Sequence, residues 1–139
     1  MNDVNDWNRQ VIEEFRANGG VVAGQFSGMP LLLLHHRGAR SGQERVNPLV
    51  YLQLDDDAVA VFASKGGAPT NPDWYHNLVA HPETSIEIGA EERPVRARIA
   101  EGEERERIFT EQKAVFSNFA DYEQAAGRRR IPVVVLERA

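Results

Sequence analysis

Residues 30–42 have the sequence PLLLLHHRGARSG, and this stretch indicates the fold. Residues 30–36 predict a strand whose four consecutive leucines make both faces apolar, as in a central strand or a strand of a barrel. Residues 37–42 predict a loop, because charged residues alternate there with glycine and serine. The sheet therefore begins with a strand that needs cover on both sides.

Outside this strand, the apolar segments come mostly in pairs separated by short turns. Residues 46–54 and 58–64 predict two strands joined at three aspartates, residues 84–88 and 93–100 predict a second hairpin, and residues 131–136 predict a last strand. Strands joined as hairpins form a largely antiparallel sheet. The expected fold class is therefore α+β, a small closed or half-closed β-barrel with peripheral helices.

Two segments before and between these strands predict helices. Apolar residues at helical spacing indicate a first helix that packs through Trp7, Val11 and Phe15. A second, short helix is expected after residue 70. Asn71 would serve as its N-cap, and Pro72 would occupy its first helical position.

The composition limits the class of protein. With 139 residues, 42% hydrophobic and 27% charged, the chain is expected to form one globular domain over residues 1–139. No apolar run approaches the roughly 20 residues of a membrane-spanning helix, and no secretory signal is visible, so a cytoplasmic location is expected. Absence of cysteine excludes disulfides, thiolate metal sites and a cysteine nucleophile. The net charge of −5 disfavours nucleic-acid binding.

Positive charge is concentrated beside the leucine strand. Arg37, Arg40 and Arg45 stand against one acid, Glu44, so three positive charges minus one give a local charge of +2. Three guanidiniums, the Ser41 hydroxyl and free backbone N–H groups at glycine would suit a phosphate or a carboxylate. A solvated hairpin loop in an arginine-rich protein is the alternative interpretation.

A second glycine-rich loop contains Ser64, Lys65 and Gly66 and follows a predicted strand. Glycine at this place would let the backbone approach a ligand closely. A plain turn is the alternative.

The four histidines do not form a metal-binding pattern. His35 and His36 are adjacent in a strand and point to opposite faces, and His76 and His81 are five residues apart rather than four. No metal site is therefore expected. The sequence also lacks the nucleophile elbow of a serine hydrolase and a phosphate-binding P-loop.

A third helix is expected from residue 103 to about residue 119. If it continues further, Phe116, Phe119 and Tyr122 recur every three residues and share one face of it. This aromatic stripe predicts either a packed core or a lid over a ligand. The acidic segment around it favours a position outside the deep core.

Four stretches together resemble a known family: LLHHRGARSG at residues 33–42, RVNPL at 45–49, ASKGGAP at 63–69 and NPDWYHNLVAHP at 71–82. The family comprises the nitroreductases and quinone reductases of actinobacteria that depend on the deazaflavin coenzyme F-420. Its members are split β-barrel proteins related to flavin-binding proteins of the pyridoxamine-phosphate-oxidase type. The likeness runs from about residue 7 to residue 138.

The resemblance implies an F-420 site built from the two loops and the short helix. It places the phosphodiester and glutamate tail of the coenzyme on Arg40, Ser41, Gly42 and Arg45, in agreement with the local positive charge. It places the ring and its side chain beside a second set of residues: Pro48, Leu49, Ser64, Lys65, Gly66, Trp74 and Asn77.

The resemblance also places the aromatic stripe over the reactive face of the ring, where the substrate enters. Phe116, Phe119 and Tyr122 would line the substrate pocket, with Tyr122 as a candidate catalytic residue that contacts the substrate or donates a proton. Family members that reduce nitroimidazoles carry tyrosines in this segment. Phenylalanine cannot hydrogen-bond a nitro oxygen, so nitroimidazole reduction is disfavoured, whereas quinone or enone reduction is less affected.

The expected function is that of an oxidoreductase that transfers a hydride from reduced F-420 to a small quinone, enone or nitro compound. Three alternatives remain from the residues: a carrier that sequesters the deazaflavin, an FMN-dependent oxidoreductase, and an interaction domain without a ligand. No membrane span is expected, a peripheral membrane contact would serve quinone access, and the chain is expected to be a monomer or a homodimer.

Overall fold

The computed structural model describes residues 3–20, 30–63, 71–116, 118–126 and 131–139, with the side chains of residues 3–8 and 118 left out. These residues form four helices and six strands. In chain order they are α1 (Asp3–Ala17), β1 (Leu31–Arg37), β2 (Glu44–Asp55), β3 (Ala58–Phe62), α2 (Asp73–Ala80), β4 (Glu83–Ile88), β5 (Glu91–Ile99), α3 (Gly102–Val115), α4 (Asn118–Ala126) and β6 (Val133–Arg138).

The six strands close into a barrel in the order β1-β2-β3-β6-β5-β4. Every neighbouring pair is antiparallel, including the closing pair β1–β4, in which Leu32 lies opposite Ile88. The antiparallel barrel predicted from the hairpins is therefore confirmed. The last strand begins two residues later than predicted, at Val133, and ends at Arg138.

The leucine strand β1 is buried on both faces, as its sequence predicts. Leu32 and Leu34 belong to the cluster that fills the barrel, whereas Leu31 and Leu33 lie on the outer wall beneath α1. Phe15 of α1, 1% exposed, packs on that outer face together with Val11. The predicted packing of Trp7 lies outside the described side chains.

Helix α2 contributes to the barrel interior. Its Trp74 and Leu78, 6% and 1% exposed, belong to the same cluster as Leu32 and Leu34. The helix begins one residue later than predicted. Pro72 occupies the N-cap position with extended backbone (ψ 157°), and Asp73 is the first helical residue. Asn71 therefore lies before the N-cap rather than at it.

The third predicted helix is in fact two helices. Phe116 adopts extended backbone (φ −128°, ψ 97°) at the end of α3, although its N–H still donates to the carbonyl of Gln112. Helix α4 then begins at residue 118. Both helices cover the outer face of β3 and β6 through a second apolar cluster that includes Phe62, Phe109 and Phe119.

Within the described parts of the chain, no helix combines the length and the apolar character needed to cross a bilayer.

Candidate functional site

The basic loop, residues 37–45, connects β1 and β2 at one end of the barrel, and its backbone is closed by internal hydrogen bonds. The N–H of Gly38 donates to the carbonyl of Gln43 (2.9 Å), and the N–H of Gly42 donates to the carbonyl of Gly38 (2.9 Å). The Ser41 hydroxyl accepts from the N–H of Gln43 (3.2 Å). The expectation that glycine N–H groups are free for a ligand is therefore wrong, because both are used to close the turn.

Two glycines make this turn sterically feasible. A Cβ at Gly38 would clash with the Ser41 hydroxyl, which would have to rotate away from its contact with the Gln43 N–H. Gly42 has φ +70°, a left-handed conformation that residues with a Cβ rarely adopt. The glycines therefore shape the loop, and its side chains are left to contact a ligand.

The basic loop carries three guanidiniums. Arg37, Arg40 and Arg45 are exposed, and none makes a hydrogen bond or an ion pair with another described residue. Arg96 and Arg107 share this property but lie singly on β5 and α3, so the clustering distinguishes the loop. Other arginines of the described chain are paired with acids: Arg16, Arg93, Arg98, Arg105 and Arg138.

The one acid of the basic loop is held by a histidine. His35 points to the outer face of β1, where its Nδ1 lies 2.9 Å from Glu44 Oε1 and its Nε2 lies 2.7 Å from Glu87 Oε2. Arg16 of α1 binds Glu87 with two hydrogen bonds, 2.7 and 3.0 Å long. Glu44 therefore hydrogen-bonds to His35 rather than to an arginine of the loop, although it lies close enough to Arg37 for their charges to interact.

Burial of the His35 ring lowers its pKa, but the hydrogen bonds that the ring donates to Glu44 and Glu87 outweigh this, so its pKa is raised above the ordinary value of 6.5. The His35 hydrogen bond in turn lowers the pKa of Glu44. The pair therefore favours a histidinium and a carboxylate over a neutral ring and a carboxylic acid.

His36 faces the opposite way, as the strand alternation predicts. Its side chain is 3% exposed, and both ring nitrogens are hydrogen-bonded to asparagine side chains. Its Nδ1 lies 2.9 Å from the side-chain Nδ2 of Asn77, and its Nε2 lies 2.6 Å from Asn47 Oδ1. The other amide atom of Asn77, Oδ1, accepts from the backbone N–H of Ala39 in the basic loop (2.9 Å). The sequence analysis did not identify His36 as a site residue. Because side chains two residues apart in a strand share a face, His36 lies on the same face of β1 as Leu32 and Leu34, which fill the barrel interior.

The residues that the resemblance assigns to the deazaflavin ring do not all lie on the same face of the barrel wall. The register pairs Leu32 with Leu49 and Leu33 with Pro48, so Leu49 faces the barrel interior and Pro48 faces the outer wall. Leu49 is half-buried against the interior cluster, to which Trp74 also belongs. The structure thus places Leu49 and Trp74 in one apolar cluster and separates Pro48 from them. Ser64, Lys65 and Gly66 lie outside the described residues.

The three aromatic side chains of the stripe contact one another. They lie on α4 and in the turn before it rather than on one continuous helix. The ring centroids of Phe119 and Tyr122 are 5.2 Å apart, and those of Phe116 and Phe119 are 6.5 Å apart. Phe119 is 7% exposed and packs edge-on against Phe62 of β3 at 5.5 Å. The expectation that Phe119 lies outside the core is therefore wrong. Phe116 and Tyr122 are half-buried at the margin of the same cluster.

A cleft of about 280 Å³ lies beside the basic loop, between the ends of β1 and β4. Its lining carries charges of both signs, with Arg37 against Glu44 and Glu83. This mixed lining does not favour a polyanion. The outward side of the loop, with Arg40 and Arg45, is the more positive surface.

At one end of the antiparallel barrel lie three arginines that have no partner among the described residues, an arrangement suited to an anionic ligand. A family model described as F420H(2)-dependent quinone reductase matches residues 7–138. The chain therefore belongs to this family, and its cofactor is the deazaflavin coenzyme F-420. The predictions of the family, of an oxidoreductase and of this cofactor are confirmed.

Individual relatives agree with the family match. The F420H(2)-dependent quinone reductase Rv1261c of Mycobacterium tuberculosis is 37% identical over 130 residues, which cover 89% of this chain and 85% of the relative. A second relative from the same organism, named for the same activity, is 43% identical over 108 residues, which cover 78% of this chain and 89% of its own.

Solved structures support the fold assignment. A structure of an F420-H2 dependent reductase (FDR-A) superposes with a TM-score of 0.70 at 37% identity, covering 78% of this chain and 94% of that chain. A solved chain described as a domain-swapped dimer has a TM-score of 0.72 at 34% identity, covering 96% of this chain and 99% of that chain. A pyridoxamine 5′-phosphate oxidase-like protein from Listeria innocua, 12% identical with a TM-score of 0.55, shares the fold alone.

Proposed function

We propose that the chain reduces small quinones with reduced F-420 and that the basic loop binds the charged tail of the coenzyme. The observation that supports this most is the cluster of Arg37, Arg40 and Arg45, whose guanidiniums have no partner among the described residues while Glu44 is held by His35. A phosphodiester and several carboxylates are the groups that such a cluster binds.

The residues present fit this coenzyme. Arg40, Arg45 and the Ser41 hydroxyl offer donors for the tail, whereas the N–H of Gly42 is occupied by its own turn. Half-buried Leu49 offers an apolar surface for the ring, with Ser64, Lys65 and Gly66 assigned to the ring by resemblance. In this proposal Pro48 contributes through the strand backbone, Trp74 supports the ring pocket from α2, and Asn77 of the same helix supports the tail site through the backbone of the basic loop.

The chain itself needs few chemical groups for this reaction. Reduced F-420 supplies the hydride when it is bound. The barrel and its loops bind and orient the coenzyme, and apolar residues around the acceptor exclude water. Tyr122 is the candidate that contacts the acceptor or donates a proton to its oxygen. Solvent can supply the same proton, so we expect no single acid or base to be indispensable.

Quinones are the favoured acceptors within the broader group of quinones, enones and nitro compounds. Phe119 is buried in the core, and Phe116 at its margin carries no hydroxyl, so Tyr122 is the one phenol that the aromatic stripe can offer to an acceptor. The nitroreductase activity suggested by resemblance therefore ranks below quinone reduction for this chain.

We further propose that the chain forms one coenzyme-binding domain over residues 1–139 and acts in the cytoplasm of an actinobacterium. The mycobacterial origin of the relatives supports that source. A homodimer is favoured over a monomer by the relative described as a domain-swapped dimer. Contact with a membrane surface would bring the site to lipid-dissolved quinones.

A fluorescence titration tests the coenzyme assignment. The purified chain is titrated with oxidised F-420, with its tail-less riboflavin-level analogue and with FMN. We expect F-420 to bind most tightly, because it alone carries the polyanionic tail. Tighter binding of FMN would favour a flavin enzyme, and absence of binding by all three would favour an interaction domain.

A further inference from the structure

The side chain of Asn77 joins the inside of the barrel to the backbone of the basic loop. Its Oδ1 accepts from the N–H of Ala39 at 2.9 Å, and its Nδ2 lies 2.9 Å from His36 Nδ1. Asn77 is 7% exposed and His36 is 3% exposed, so neither presents a surface to a ligand outside the barrel. Ala39 directly precedes Arg40.

The hydrogen-bond directions in this group are fixed by chemistry. A backbone N–H can only donate, so the Asn77 atom facing Ala39 is the carbonyl oxygen, and the atom facing His36 is the NH₂ group. His36 Nδ1 must therefore accept, which leaves the proton of a neutral ring on Nε2. That Nε2–H donates to Asn47 Oδ1 at 2.6 Å. One neutral tautomer of His36 satisfies all three contacts, and a protonated ring would lose the contact with Asn77.

We propose that His36 and Asn77 are positioning residues for the coenzyme tail, which hold the Arg40 segment of the basic loop through Ala39 without contacting the coenzyme. The inference rests on the proposed role of the basic loop. Asn77 thereby acts on coenzyme binding indirectly, through the loop backbone.

The charged and titratable groups around His36 lie on its own strand β1 and on β2, α2 and β4 or next to them. Burial is the main cause that lowers its pKa below 6.5, the Asn47 hydrogen bond opposes this, and the positive charge of Arg45 adds to the lowering. The other charged or titratable groups around it are Asp73 on α2, His35 on β1, and the cleft residues Arg37, Glu44, His81 and Glu83.

The sign of the pH effect follows from this lowered pKa. The contribution of neutral His36 to stability is present above the unfolded value of 6.5 and is lost as the pH falls from there through the folded pKa. The hydrogen bond to Asn77 is lost when the ring of the folded chain takes up a proton, which happens at a pH below 6.5 because its pKa is lowered. We therefore expect the affinity for the tail to fall on acidification.

Variants at two positions separate positioning from other roles. His36→Asn places an oxygen near the position of Nδ1 and keeps an acceptor for Asn77 at every pH. His36→Gln reaches the position of Nε2, keeps the donor to Asn47 and loses the acceptor for Asn77. Asn77→Leu removes both contacts of the amide. Thr84→Val is the matched control, because it removes a hydrogen bond to the His35 carbonyl at the same barrel end and leaves the contacts of Asn77 with Ala39 and His36 in place.

The readout is the affinity for F-420 and for its tail-less analogue, with melting temperatures measured in parallel. We expect Asn77→Leu to weaken F-420 binding about ten-fold and His36→Gln about three-fold, corresponding to the loss of one or two buried hydrogen bonds. His36→Asn and Thr84→Val should stay within about two-fold of the wild type. The tail-less analogue should bind all variants equally.

The pH series completes the test. Wild-type affinity for F-420 should decline below pH 6.5, whereas that of His36→Asn should stay level. Rising wild-type affinity on acidification would show that protonated His36 attracts the tail directly, and equal losses for F-420 and the analogue would show a general packing defect. Either result overturns the inference. Failure of the wild-type chain to prefer F-420 over the analogue would instead refute the proposed role of the loop and the inference together.

Discussion

Phe119→Ala is expected to destabilise the folded chain by about 3–5 kcal/mol, because it removes a buried ring from the cluster beneath α3 and α4. Phe119 is 7% exposed, and its ring packs edge-on against Phe62 and Tyr122. For a chain of this size, the change corresponds to a fall in melting temperature on the order of 10 °C. Thermal unfolding followed by circular dichroism measures it.

Val115→Ala provides the control for this substitution. Val115 lies at the end of α3 and is 59% exposed, so its truncation should change the stability by less than about 0.5 kcal/mol. If Phe119→Ala melts like the control but has an altered KM for quinone, Phe119 belongs to the substrate pocket and not to the core. That outcome would contradict the packing described above.

The double variant Arg40→Ala/Arg45→Ala is expected to lose at least about 30-fold in affinity for F-420. Each charge-assisted hydrogen bond to the tail contributes roughly 1–3 kcal/mol, and 1.4 kcal/mol corresponds to a factor of ten. Both side chains are exposed and unpaired among the described residues, so the fold should not depend on them. Fluorescence titration with F-420 measures the loss, and melting temperature checks the fold.

Arg96→Ala is the matched control, because Arg96 is also exposed and without a described partner but lies on β5. It removes one positive charge away from the loop, so its effect on F-420 affinity should be small and should vanish at high salt. Affinity for the tail-less analogue should be unchanged in both variants. Equal affinity of the double variant and the wild type would mean that the loop is only a solvated hairpin.

The barrel could be predicted because its signals are local. Four leucines in a row require cover on both faces, and the structure provides it with the barrel interior on one side and α1 on the other. The aspartates at residues 55–57 marked a hairpin between β2 and β3 correctly. The break between α3 and α4 was missed, because the spacing of Phe116, Phe119 and Tyr122 fits a continuous helix. The burial of Phe119 against Phe62 of β3 is a tertiary contact that the local spacing does not reveal.

Only those parts of the candidate site that have a local signal in the sequence could be predicted. The cluster of arginines is contiguous in sequence, so its charge could be recognised without a structure. The contact between His36 and Asn77 joins residues 41 positions apart, and no local pattern indicates it. The hydrogen bonds that occupy Gly38 and Gly42 depend on how the loop closes, which composition does not reveal.

Oxidation of reduced F-420 by menadione, measured anaerobically with and without the chain, tests the central claim most directly. We predict that the wild-type chain accelerates the return of oxidised F-420 far above the uncatalysed rate, and that the Arg40→Ala/Arg45→Ala variant requires much more coenzyme for the same rate. Tight binding of F-420 without acceleration, for menadione and other small quinones alike, would contradict the claim and indicate a deazaflavin carrier instead.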